Sequence, residues 1–303
     1  MRHIPVLLQE TLDALNLKPG MKVVDGTLGD AGHAQALLQK IGPNGKLLGI
    51  DADPEALLRA KDFLSDFENQ TVLVRENFAQ IGRIVKEQGF FPVQAILFDL
   101  GWSSPQFSER QRGFSFLLDE PLDMRYSGFS EENKQTAAQF LEEKTQEVLE
   151  YTFRTFGEEK LSREIAQAIY EKRKDKKIET TSDLVQIILE VYRKKLRSNK
   201  EVPWVGGLHP ATKVFQALRI VVNEELLVLE QALPQAVEAL ESKGRLAVIS
   251  FHSLEDRIVK HFFKSQENIS VKILSKKPLV CSEEEYEKNP PSRSAKLRVI
   301  EKI

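Results

Sequence analysis

The chain has 303 residues, 41% of them apolar and 29% charged, enough for one large α/β domain or two smaller units around a buried core. Its formal net charge of −2 excludes a globally basic nucleic-acid binder, and no apolar run approaches the roughly 20 residues of a membrane span. One cysteine, Cys281, excludes an internal disulfide, and no Cys/His cluster suggests a zinc site; with no apolar signal-peptide stretch at the N-terminus, a cytoplasmic protein is expected.

The first hundred residues alternate strand and helix. Strands are predicted at 21–25, 46–51, 71–74 and 95–99, with helices at 34–40, 54–64 and 78–88. Asp53 before Pro54 reads as a helix cap followed by proline at the first helical position. Such alternation implies a parallel sheet that binds ligands beyond the carboxyl ends of its strands. Asp25, Asp51 and Asp99 all stand at those ends.

After about Pro105 the pattern turns helical. Ser162 to Ala166 and Thr181 to Val185 look like capped helix starts. From 151 to 200 there are 13 Lys plus Arg against 8 Asp plus Glu, a local balance of +5. A solvated helix face and a phosphate-binding face both fit that charge. Pro203 to Gly207 reads as the return linker. Helices at 211–223 and 225–241, a strand at 245–250 and a helix at 254–263 restore the α/β pattern. Segments 271–274 and 295–301 have no helix between them, which suggests an antiparallel edge pair. The expected division is 1–106 with 206–303 as one domain and 107–205 as a helical insertion.

Glycines at Gly26, Gly29 and Gly32 are spaced G-x-x-G-x-x-G, unlike the G-x-G-x-x-G of dinucleotide enzymes. Acidic Asp25 and Asp30 flank the turn and would repel a pyrophosphate. A cationic nucleoside with an amino-acid tail is not repelled, which favours S-adenosylmethionine over NAD. Asp51, freed from capping by Asp53, is placed to accept hydrogen bonds from ribose hydroxyls. Phe78 could cover an adenine, or be core. Without a suitable cysteine nucleophile, a ring-carbon acceptor is disfavoured and a nitrogen or oxygen acceptor is expected. Asp99 could accept the N–H of an exocyclic amine, hold the donor, or do both, with Ser103 and Ser104 beside it. His252, in the polar cluster after the fifth strand, is a further catalytic candidate.

These segments together resemble the MraW family of bacterial small-subunit ribosomal RNA methyltransferases, which modify N4 of a cytidine in 16S RNA. The matching stretches are 3–8, 25–33, 99–106, 121–125, 209–223, 249–257 and 294–298. The resemblance implies a class I, Rossmann-like methyltransferase core, α/β in class, with an inserted all-helical RNA-recognition domain. It implies cofactor contacts at Ala31, Gly32, His33, Asp51, Phe78, Asp99 and Gln106. Arg112, Arg125, Lys213, Arg219, Arg257, Arg293 and Lys296 are the expected RNA contacts. The implied partner is 16S rRNA in the 30S subunit or a late precursor, with the enzyme a monomer or homodimer. Two positions depart from the family: Ala31 replaces a usual glycine, and Trp102 a smaller aliphatic residue.

Overall fold

The computed structural model describes residues 4–100, 111–127, 134–197 and 208–303. The chain divides into two compact units, one formed by 1–103 with 226–303 and the other by 104–225.

The first unit begins with α1 (Leu8–Leu15), then β1 (Lys22–Asp25), α2 (Gly32–Ile41), β2 (Lys46–Asp51), α3 (Pro54–Phe63), β3 (Thr71–Arg75), α4 (Ile81–Glu87) and β4 (Val93–Asp99). The side-chain period of two sends neighbouring residues to opposite faces of the sheet. Val23, Leu47, Ala95 and Leu97 meet α1 and α2 on one face. Val24, Leu48, Ile96 and Phe98 meet Ile81, Ile84 and Val85 on the other. Both faces being covered, these strands read as continuous apolar runs rather than as alternation.

The second unit holds α5 (Ala137–Glu143), α6 (Gln146–Gly157), α7 (Ser162–Lys172), α8 (Thr181–Leu196) and α9 (Thr212–Asn223). Thr136 and Thr180 close capping boxes at the starts of α5 and α8, which satisfies amide groups the first helical turn leaves free. The predicted return of the chain at 206 differs from this division, because α9 stays with the helical unit. Its apolar side buries Val214, Phe215 and Leu218. A Cβ on Gly157 would lie 2.5 Å from the Lys213 carbonyl oxygen, so glycine permits this close approach of α6 and α9.

The chain continues with α10 (Glu225–Ala239), β5 (Leu240–Ser250), α11 (Ser253–Gln266), β6 (Val271–Ile273), α12 (Glu283–Lys288) and β7 (Lys296–Lys302). The sheet order is β3-β2-β1-β4-β5-β7-β6. Strands β1 to β5 pair in parallel, and β7 runs antiparallel between β5 and β6. The antiparallel pair is therefore present, with β7 one place in from the edge. Strand order reverses between β1 and β4, and the carboxyl ends there are where such sheets receive ligands. Among the described residues, no helix is long and apolar enough to cross a membrane.

Candidate active site at the ends of β1, β2 and β4

The turn after β1 is stitched into both neighbouring strands. Gly26 N–H donates to the Leu97 carbonyl at 2.9 Å and Leu28 N–H to the Ile50 carbonyl at 3.0 Å. The three glycines answer different demands. A Cβ on Gly26 would lie 2.5 Å from the Phe98 ring, and one on Gly32 would lie 2.6 Å from Pro5 Cγ. Those two are small because the protein packs on them. Gly29 has φ +52 and no close neighbour, so conformation rather than packing selects it. Ala31 also has positive φ, +62, and opens α2 from the left-handed region. Its methyl is fully buried.

Three carboxylates converge here. Asp51 accepts from Gly29 N–H and Asp53 N–H, both at 2.8 Å. Asp53 caps α3 by accepting from Glu55 N–H, so the two acids have separate work. Burial pushes the Asp51 carboxyl up to about 6, against the lowering effects of the Gly29 amide and Arg59. Asp25 is 1% exposed and accepts from Thr27 N–H at 3.1 Å. Burial pushes its carboxyl up to about 7; His33 opposes this, while the charges of Asp99 and Asp51 add to it. Asp99 is fixed through its main chain, its N–H donating to Thr27 Oγ1 at 2.6 Å. Asp99 Oδ1 is buried and, among the described residues, has no hydrogen-bond partner.

Thr27 is thus a functional residue that sequence reading passed over. It stood inside the motif, but nothing local shows that its hydroxyl reaches β4. The negative charge of Asp30 is offset by Arg59, whose Nε pairs with it at 2.9 Å.

His33 lies between two acceptors. Its Nδ1 is 3.4 Å from Asp99 Oδ2 and its Nε2 is 3.1 Å from the Val6 carbonyl oxygen. Phe78 starts a short 3-10 turn after β3 and is half-buried, with its ring centroid 5.0 Å from that of Phe98. Ser103, Ser104 and Gln106, with Trp102, lie outside the described residues.

His252, expected as a catalytic residue, stands at the start of α11. Its Nδ1 accepts from Glu255 N–H at 3.4 Å, the Glu255 carboxylate answers at the Phe251 and His252 amides, and the ring thereby caps α11. Three of the expected RNA contacts make pairs inside the helical unit. Arg112 is 2% exposed and donates to the Tyr126 carbonyl. Arg125 is buried in a two-pronged pair with Asp123. Arg219 makes a similar pair with Glu225. Asn223, not singled out from sequence, completes this arrangement by donating to the Met124 carbonyl and accepting from Tyr126 N–H.

The remaining cations stand differently. Lys213 donates to the Glu158 carbonyl. Lys296 pairs with Asp256 at 3.2 Å, beside the more buried Arg298. Arg257 and Arg293 are exposed, and the Arg293 guanidinium lies 5.8 Å from the Tyr286 ring centroid. Cys281 is half-buried, as a free thiol.

Comparison with known proteins gives a consistent picture. A family model described as the MraW methylase family matches residues 1–303. The chain is 44% identical to the ribosomal RNA small subunit methyltransferase H of Heliobacterium mobile, covering 99% of each chain. It is 43% identical to the protein of that name from Persephonella marina, covering 100% of each. Among solved structures, a putative rRNA-methylase from Clostridium thermocellum aligns over the full length of both chains with a TM-score of 0.50 at 15% identity, a likeness of fold.

Proposed function

From a chain that belongs to the MraW methylase family, and is therefore an S-adenosylmethionine-dependent methyltransferase, we propose an enzyme that methylates small-subunit ribosomal RNA at N4 of a cytidine. The single observation that carries the choice of a nitrogen acceptor is Asp99 Oδ1, an unpartnered buried acceptor at the carboxyl end of β4 beside the order reversal.

The residues present suit the donor. Asp51 keeps a lone pair on each carboxylate oxygen beyond its amide contacts, so it can accept from ribose hydroxyls. Gly29 leaves its backbone open to close approach. Asp25, Asp51 and Asp99 together complement a sulfonium and an α-ammonium group. When bound, the donor supplies a methyl group activated for direct displacement.

An exocyclic amine has its lone pair drawn into the ring. Asp99 Oδ1, accepting its N–H, raises the nucleophilicity of the nitrogen and fixes its direction; the remaining task is positioning. The cytidine must leave its stack to reach this depth, at a cost of about a few kcal/mol, offset by contacts to the flanking backbone. Exposed Arg257 and Arg293, with Lys213 and Lys296 beside their own partners, are the proposed phosphate contacts. Ser103 and Ser104, as hydrogen-bond partners of the acceptor, and Gln106, as a donor contact, belong to this proposal. The substrate is the 30S subunit or a late precursor, and the enzyme works in the cytoplasm.

The test is transfer of labelled methyl to small subunits, free 16S RNA and DNA, followed by nucleoside mass spectrometry. N4-methylcytidine in small-subunit RNA is the expected product. Label on DNA alone, or at another atom of the RNA, overturns the reading.

A further inference from the structure

We propose that His33 is a positioning residue for Asp99: its imidazolium, anchored on the Val6 carbonyl, grips one carboxylate oxygen so that the other faces the nucleophile. The proposal rests on the reading that Asp99 meets the methyl acceptor.

Donor and acceptor chemistry at the ring carries it. A backbone carbonyl can only accept, so His33 Nε2, 3.1 Å from Val6 O, must bear a hydrogen. An ionised carboxylate can also only accept, so Nδ1, 3.4 Å from Asp99 Oδ2, must bear another. Both conditions together describe an imidazolium. With the ring only 7% exposed, water does not replace either contact. The groups facing the ring are Asp99 from β4, Asp25 from β1 and the Val6 carbonyl ahead of α1, with Asp51 acting on Asp25. Burial alone would lower the His33 pKa; the Asp99 hydrogen bond and the charges of Asp99 and Asp25 outweigh it, and the net direction is upward.

The local fold holds the ring in this place. Ala31 enters α2 from the left-handed region, and Gly32 seats that entry on Pro5. Residues 4–7 are held in turn by Glu285, which accepts from Leu7 N–H, and by Asn289, which donates to the Ile4 carbonyl. Asp99 is thereby fixed twice, through its amide by Thr27 and through Oδ2 by His33, with Oδ1 left over. In the proposed step the nitrogen–carbon bond forms as the carbon–sulfur bond breaks with its electron pair on sulfur. The proton shed by the nitrogen passes to Asp99 Oδ1 and leaves to water with product release.

Two measurements test this. Ring nitrogen–proton correlation spectra of the donor-free protein at pH 7.5 need no turnover. Both nitrogens of His33, assigned through its contact with Val6, are expected protonated, and Asp99→Asn is expected to return the ring to neutral. A neutral ring in the unsubstituted protein overturns the proposal. In turnover, His33→Gln is expected to lower kcat about 100-fold while the donor Kd changes less than about threefold, with the alkaline fall in kcat abolished. An unchanged kcat overturns the proposal, and so does a loss of donor binding equal to the loss of kcat, which would make the ring a donor contact. Should the enzyme methylate an acceptor other than ribosomal cytidine, the functional reading fails while the spectra still decide His33.

Discussion

At the scale of single residues, the buried carboxyls make donor binding depend on pH. Asp25 and Asp51 titrate near 7 and 6, so both are partly protonated in mildly acidic solution. A cationic ligand favours their ionised forms. Donor affinity is therefore expected to rise with pH, by up to about tenfold between 5.5 and 7.5, with proton release detectable by calorimetry in buffers of different ionisation enthalpy. A flat affinity would separate the carboxyls from the donor. Stability runs the other way. A carboxyl raised on folding binds its proton more tightly in the native state, so the donor-free protein loses stability as pH climbs from about 4 through about 7. Asp25→Asn is expected to flatten that slope in denaturant titrations at pH 5 and 8. Asp51→Asn loses the charge on the ribose contact and places an amide donor against backbone N–H groups; about a tenfold to hundredfold weaker donor Kd is expected.

At the scale of elements, caps and buried pairs hold the helical unit. Thr180 accepts from Asp183 N–H while Asp183 answers at the Thr180 amide. Thr180→Ala is expected to cost about 1 kcal/mol of stability in thermal or denaturant unfolding. Asp123→Ala is a harsher change, since it takes the two-pronged carboxylate from the buried Arg125 guanidinium; about 3 kcal/mol is expected. The contrast between the two variants separates a local cap from an internal ion pair. Elements also mark where sequence periodicity sufficed. Strands β1 to β4 were legible because their apolar runs are short and bounded by turns. Helix α1 was not predicted, because it is one amphipathic stretch entered through Leu7 at φ +52, without a side-chain cap. Helix α12 was missed because its six residues are mostly acidic and bury nothing.

At the scale of the whole molecule, net charge gives no hint of an RNA partner, and the local distribution carries the expectation. Paired reversal of Arg257 and Arg293 to Glu is expected to weaken small-subunit binding and to reduce the salt slope of log K by about 2, leaving donor Kd unchanged. The same reversal at Arg125 is expected to unfold the helical unit instead, read as lost thermal stability. Retained RNA affinity in the double variant would move the phosphate contacts elsewhere.

The sequence by itself determined the parallel sheet, the turn between β1 and α2, and the placement of Asp25, Asp51 and Asp99 at strand ends. Those features follow from local periodicity and from glycine and proline chemistry, which act over a few residues. Family membership was legible for a related reason: the motifs stand in order along the chain. Tertiary structure alone decided which polar groups are spent and which are left over. Arg112, Arg125 and Arg219 read from sequence as cations, and only the fold shows their partners inside the helical unit. That the His252 ring caps α11 is likewise visible only in the fold. Asp99 lies 72 residues from Thr27 in the chain, and only the sheet brings it to Thr27 and His33. A hydrogen bond consumes a donor and an acceptor in three dimensions, so what remains available at a site cannot be read from sequence order.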